Sequence, residues 1–371
     1  MTRAQLKRFA RVPRLLYTGL AGYAPPLDLM EAQTVDPGFN PYFRHAEAAF
    51  WIARRADALV GRISAQVDTL DAAMGREALG HFGCLAAIDD PAVTAALLEA
   101  AHGWLRARGV REVTGPFKLS INAESGLLVE GFRERAMFMT SWDPPWLGGL
   151  VEAAGYSRAA DLCSYDYPQL EKPIAAAKRL LERKGLGDAV TVRLSDMRRI
   201  GRETDIVRDL FNDGWRDNWG FVPMTEDEMR HLAKELKPFL FDECISIAEI
   251  GGEPAAFAAA VPNLMDLFEG LDGKLLPFGW ATVASRWIGR RYRTGRVAMM
   301  GVRRRYRDSA MGAGLALIAV EALREAASRH GLQSAELGWV LDSNTAMRRM
   351  LEVLGATSYK THRVYRTSLN A

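Results

Sequence analysis

Val297-Ala298-Met299-Met300 runs without a break into Gly301, Val302, three arginines (Arg303, Arg304 and Arg305), Tyr306, Arg307, Asp308, Ser309, Ala310, Met311, Gly312, Ala313 and Gly314. Good helix formers then continue from Leu315 to Ser328. The order is apolar strand, basic turn with small residues, helix. Such a turn presents free backbone N–H groups at a helix N-terminus, where the helix dipole adds partial positive charge. Arginine nearby supplies bidentate contacts to phosphate. This stretch commits the region to a layered α/β arrangement and asks for a phosphate-bearing ligand.

With 371 residues, the chain has room for two domains of ordinary size. Apolar residues make up 49% and charged residues 25%, the balance of a globular rather than a disordered chain. A net charge of +3 is too small to argue for nucleic acid. Its distribution says more, because Arg290, Arg291, Arg293, Arg296, Arg303, Arg304, Arg305 and Arg307 crowd residues 290–307. An arginine run of this kind is a solvated face, a site for an anionic ligand, or a contact with an anionic membrane. Cys84, Cys163 and Cys244 lie far apart without metal or redox spacing, which favours a reducing compartment. His45, His81 and His102 show no ligand spacing, so no metal is expected. The basic N-terminus lacks the apolar core of a signal peptide, and no apolar run approaches the roughly 20 residues that span a bilayer. These features predict a cytoplasmic protein.

The chain ends twice in the same way. Gly155 is followed ten residues later by Tyr165, and Gly355 ten residues later by Tyr365. Each glycine closes a helical segment that leads into a strand, and two earlier helices stop at Gly109 and Gly331. The repeat of order reads as an internal duplication, with halves at 1–168 and 190–371 and a linker at 169–189. In the first half, strands are expected at 49–54, 59–67, 79–88, 112–116 and 161–167, with helices at 91–106 and 146–154. In the second, strands are expected at 191–194, 244–250, 255–261, 296–301, 335–340 and 359–367. Its helices are expected at 204–212, 225–236, 313–329 and 345–354, and Gly251-Gly252 signals a hairpin. The class is mixed α/β with helices on both faces of the sheet.

The segment from Val302 to Gly312, with Asp342-Ser343-Asn344 ahead of a helix that ends at Gly355, resembles the GNAT superfamily of N-acetyltransferases. Ala310 departs from that pattern, since it stands where a first glycine is usual. The resemblance implies two tandem GNAT-like domains, each a mixed twisted sheet with helices on both faces, and acyl-CoA as the acyl donor. It implies that Arg307, Asp308, Ser309, Ala310, Met311, Gly312 and Ala313 hold the CoA pyrophosphate, with Asn344 nearby. The strand edge at Met300 and Val302 would pair with the pantetheine arm. The first half has Asp89, Asp90 and Pro91 at the matching place, which repels phosphate and removes a donor. That half is expected to shape the acceptor side. Longer phrases, such as 40–47, 126–132 and 212–223, are similar to a proteobacterial family of tandem GNAT-like proteins. That group includes a ceramide synthase, which acylates the amine of a sphingoid base.

Acyl transfer to an amine needs a base, donors for the oxyanion and relief for the thiolate. The tyrosine that many GNAT enzymes place in the Asn-led helix is replaced here by Leu351. Tyr359 is a candidate substitute, or else a core residue. Asp342 is a candidate base, or a helix cap. Asp217 is a third candidate, within the cluster Trp215, Asn218 and Trp219 that suits an acceptor wall or a helix-end plug. Asn122 and Glu124 form a polar knot that faces the acceptor or simply builds a turn. An insertion at 262–293 mixes large apolar residues with arginines and suits a long acyl chain, an amphipathic acceptor, a membrane surface or a buried contact. The expected partners are therefore acyl-CoA, an amine that is lipid in the favoured version, and the inner face of an anionic membrane. The rivals are acetyl transfer to a small molecule or peptide, an aminoacyl-tRNA-dependent transferase, and a non-catalytic acyl-CoA binder.

Overall fold

A computed structural model describes residues 2–174, 179 and 190–369. Most of the expected linker, at 175–178 and 180–189, lies outside the described residues. Twelve strands build one sheet: β1 (Ala46–Arg55), β2 (Ala58–Asp68), β3 (Leu79–Ala87), β4 (Glu112–Phe117), β5 (Leu127–Glu130), β6 (Ser157–Tyr167), β7 (Val190–Leu194), β8 (Ile245–Ile250), β9 (Glu253–Pro262), β10 (Thr294–Val302), β11 (Ser334–Leu341) and β12 (Thr357–Ser368). Their order is β1-β2-β3-β4-β12-β6-β11-β10-β9-β8-β7, with β5 lying against β12.

Sequence order makes β1, β2, β3, β4 and β6 the counterparts of β8, β9, β10, β11 and β12. The sheet order is then nearly symmetric about its centre, except that the closing strands have changed places. β12 pairs with β4 of the first half, and β6 pairs with β11 of the second. The two lie side by side, antiparallel, with His362 opposite Leu162. Cutting the chain at 168 and 190 therefore leaves each half without the strand that completes its sheet.

Packing follows the exchange. Tyr365, fully buried, packs with Leu147, Val151 and Tyr156 of the first half. Tyr165, equally buried, packs with Leu332, Leu337, Leu351 and Ala356 of the second. Burying a large apolar side chain contributes roughly 1.5–3 kcal/mol, so each crossing strand carries a substantial share of its partner half's core.

The hairpin at Gly251-Gly252 forms as expected, with φ of 60° and 85° at its two glycines. Three elements exceed the expected set. Helix α1 (Arg3–Tyr17) starts with a Thr2–Gln5 capping box and buries Phe9, Val12 and Tyr17 against the sheet. β5 is four residues long, too short for a periodic signal. A helix at Gly279–Ile288 forms within the insertion and has no buried residue. Among the described residues, no helix is long and apolar enough to cross a membrane.

Candidate acyl-CoA site

β10 runs parallel to β11 only from Thr294–Val297 against Ser334–Leu337. Beyond Leu337, β11 turns to β6, re-pairing at Val340 and Leu341. β10 stays with β9 but shifts register between Val297 and Met299. The two parallel strands thus diverge at Ala298, leaving a gap of about 90 Å³ lined by Val297–Met300, Gly338, Trp339, Trp215 and Met139. Trp215 stands edge-on to Trp339, 5.6 Å between ring centres, and its Nε1 donates to the Met300 carbonyl at 2.7 Å. The Met300 carbonyl, an edge acceptor for a ligand chain, is therefore held by an indole.

At the end of β10 the basic turn coils into one short helical turn, Arg304–Arg307, before helix Ala310–Arg329 begins. Ser309 caps that helix, its Oγ accepting from the Gly312 amide at 3.1 Å while its carbonyl accepts from Ala313. The first-turn amides of Ala310 and Met311 have no carbonyl one turn back to bond, as at any helix start. The glycine requirement falls at 312, where an added Cβ would lie 2.2 Å from the Tyr306 carbonyl. Ala310 occupies the first helical position and is exposed, so alanine fits there without strain. This cradle fits a pyrophosphate: a capped helix start of 20 residues, a close backbone approach at Gly312, and Arg307 within reach of the same turn.

The matching helix start in the first half is closed to an anion by the protein itself. Asp90 Oδ1 accepts from the Ala92 amide at 2.8 Å, and Arg55 pairs with the same carboxylate, holding it below the usual acid range.

The three candidate catalytic residues are placed away from the roles expected of them. Asp217 bridges Arg304 at 3.0 Å and Arg307 at 3.2 Å, so it sits on the phosphate cradle as a counter-ion. Asp342 pairs with Arg158 and accepts from the Asp161 amide at 3.4 Å, which pins the end of β11 to β6. The Tyr359 hydroxyl donates to Glu336 at 2.5 Å. Burial and the Glu336 charge push that hydroxyl far up, so it gives its proton to neither a thiolate nor an amine's base. Glu336 is fully buried and also meets Arg296 at 3.1 Å. Arg296, read in the sequence as one of a surface run, instead donates to the Phe138 carbonyl at 3.1 Å and lines the gap.

The acceptor-wall candidates separate. Trp215 and Asn122 line the gap, and Asn122 Nδ2 donates to the Val222 carbonyl at 3.0 Å. Trp219 lies instead on a different cleft, of about 630 Å³, beside His81 and Asp71. Asn218 is a turn residue, its amide bonded to the Trp215 carbonyl at 2.8 Å. Glu124 forms an ion pair with Lys118 at 2.8 Å in a third cavity. Asn344 caps helix Thr345–Val353 through the Met347 amide at 3.1 Å. Val302 lies so close to Gly214 that an added Cβ on the glycine would meet its carbonyl at 2.5 Å. Arg296, Met139 and Trp339 were not singled out by the sequence, because their partners lie far away along the chain.

No protein-family model matches the chain. Over 369 residues it is 41% identical to bacterial ceramide synthase of Caulobacter vibrioides, covering 99% of this chain and 96% of that one. Over 366 residues it is 39% identical to protein YghO of Escherichia coli, covering 98% and 93%. Among solved structures it superposes on a tandem GNAT protein from the clavulanic acid biosynthesis pathway with a TM-score of 0.55 at 12% identity, covering 99% of this chain and 96% of that one. The chain is an acyltransferase of two tandem GNAT-like halves and belongs to the family that contains bacterial ceramide synthase.

Proposed function

We propose that the protein transfers a long acyl chain from acyl-CoA to the primary amine of a sphingoid-base-like lipid, working peripherally at the inner face of the membrane. The observation that carries the CoA half of this reading is the gap at Ala298, which opens directly above the Ser309–Ala313 helix start. Pyrophosphate at the helix start would leave the pantetheine arm to run along Met300 and Val302, once the Trp215 indole yields the Met300 carbonyl. The thioester would then end between Ala298 and Gly338. There the amine nitrogen forms a bond to the acyl carbon, the carbon–sulfur bond breaks, and CoA leaves as the thiol with the amine's proton.

Two findings support the lipid version. One is the 41% identity to a protein named ceramide synthase. The other is the insertion, which exposes Leu276, Phe278, Trp280 and Ile288 at 78%, 76%, 58% and 76%, with Arg286, Arg290 and Arg291 around them. Large apolar tips ringed by arginine suit an anionic lipid surface. The test is release of free CoA from palmitoyl-CoA and from acetyl-CoA in the presence of a long-chain amino alcohol. Faster release from palmitoyl-CoA, with the amide found by mass spectrometry, is expected. Preference for acetyl-CoA would replace the lipid version with acetyl transfer, and release from neither would make the protein a binder.

A further inference from the structure

The first half carries its own divergence of parallel strands. β3 and β4 pair from Leu79 to Gly83 and then part. The space so opened is roofed by α1, the helix Asp28–Thr34 and the loop 134–143, and encloses about 260 Å³. Where the second half has a basic turn over its gap, this one has buried carboxyl groups.

Those groups are unevenly balanced. Glu31 is paired with Lys118 and lies 3.6 Å from Arg62, and Lys118 also meets Glu124 at 2.8 Å. These two acids and two cations offset one another. Asp143 stands apart: it is 6% exposed, accepts from the Leu128 amide at 3.0 Å, and forms no ion pair among the described residues. A buried carboxylate without a cation is costly, so burial pushes this carboxyl up to about 7 and keeps it largely protonated at lower pH. Glu124 pushes in the same direction, and Arg62 and the Leu128 and Ser141 contacts oppose it. What the cavity lacks is one positive charge.

Two further polar atoms facing the same space are unused. The Tyr23 hydroxyl and Arg62 Nε are buried and without a hydrogen-bond partner among the described residues, and Arg62 is 6% exposed. Both suit hydroxyl groups beside an amine.

The cavity also connects in the two directions that transfer demands. Inward, Ala123 and Met139 line both it and the CoA gap. Outward, Tyr23, Met265 and Phe268 line both it and a cleft of about 800 Å³ that reaches Arg286 and Arg291 at the base of the apolar insertion. A ligand with its polar end inside would have its chain leading out beneath Leu276 and Phe278.

We infer that this cavity is the acceptor site, and that it takes a single-chain primary amine whose ammonium end meets Asp143 beside Glu124, with the chain leaving past Tyr23, Met265 and Phe268. The inference rests on the acyltransferase reading and adds the position and chemistry of the second substrate.

The test uses the full chain with 2-aminododecan-1-ol, dodecan-1-ol and palmitoyl-CoA as separate titrants in calorimetry. The amino alcohol binds with one site per chain, and at pH 6 close to one proton is released per molecule bound, as Asp143 ionises to meet the ammonium. Asp143→Asn abolishes the proton release and weakens amine binding by at least about tenfold, the scale of one charge-assisted hydrogen bond. Met30→Trp, which fills the cavity from its wall, weakens it likewise, and both variants bind palmitoyl-CoA within about twofold of the unsubstituted protein. Amine binding and proton release unchanged in both variants would overturn the assignment, as would dodecan-1-ol binding as tightly as the amine. Failure of palmitoyl-CoA to bind the unsubstituted chain would instead count against the acyltransferase reading, with amine binding read independently.

Discussion

The Tyr165 hydroxyl accepts a hydrogen bond from Arg348 Nε at 2.9 Å, joining the last strand of the first half to a helix of the second. Its counterpart Tyr365 reaches the other way, donating to Glu152 at 3.3 Å in a helix of the first half. Two tyrosines at matching places therefore each complete the opposite half. The consequence is cooperative: residues 190–371 expressed alone lack the strand that covers β11 and will be insoluble or unfolded. Co-expression with residues 1–189 restores a folded complex, and the intact chain unfolds in one transition. Tyr165→Ala lowers stability by about 3–5 kcal/mol, read by chemical denaturation, with Tyr165→Phe costing only about 1 kcal/mol. Independent folding of both halves would contradict this.

Gly312 and Ala310 make a second, sharper contrast. A Cβ at 312 collides with the Tyr306 carbonyl, whereas 310 is open. Gly312→Val is expected to weaken acyl-CoA binding by about a hundredfold or more, since the turn must shift by over an ångström. Ala310→Gly should leave binding within about threefold. Thermal shift with palmitoyl-CoA reads both.

Asp217 offers a test of role. Paired with Arg304 and Arg307, it competes with phosphate for them. Asp217→Asn should leave kcat within about threefold and lower KM for acyl-CoA by a few fold, the scale of an exposed ion pair. Arg307→Glu should raise KM steeply. A collapse of kcat in Asp217→Asn would restore Asp217 as the base.

Asp143 also predicts a pH signature without any ligand. Its carboxyl is raised to about 7 in the folded chain, against an ordinary value near 4 when unfolded. The unfolded chain therefore releases this proton first, and folding stability falls as pH rises from about 4 to about 7, then levels off. His362 acts with the opposite slope: burial lowers it to about 4, so stability falls as pH drops from about 6.5 towards 4. Asp143→Asn should remove only the first component, so the stability difference between the variant and the unsubstituted protein changes between pH 4 and 7 and is flat above. A difference that stays constant across that range would remove the buried-acid argument.

The insertion predicts a surface activity. Phe278→Glu combined with Trp280→Glu should abolish flotation with vesicles rich in anionic lipid, while leaving thermal stability nearly unchanged, because both side chains are largely exposed. Equal flotation of the double variant would assign the patch another use.

Much of this was legible from local signals. The strand–turn–helix at 297–329, the hairpin at Gly251-Gly252 and the duplicated Gly155/Tyr165 and Gly355/Tyr365 endings are patterns within a few residues of one another. The strand exchange was not legible, because period and capping fix an element's type and say nothing about which half it joins. The candidate bases were misplaced for a related reason. Asp217, Asp342 and Tyr359 looked free in the sequence, yet their partners lie 90, 184 and 23 residues away. Asp143 gave no signal at all, since a carboxyl becomes chemically distinctive only when folding strips it of water and withholds a cation.

The most direct measurement is transfer itself. Purified protein incubated with palmitoyl-CoA and a long-chain 2-amino alcohol should release CoA in equal amount to the N-palmitoyl amide detected by mass spectrometry, and Gly312→Val should lose both together. CoA release without the amide, or amide formation that survives Gly312→Val unchanged, would contradict a transferase that seats its donor at the Ser309–Ala313 helix start.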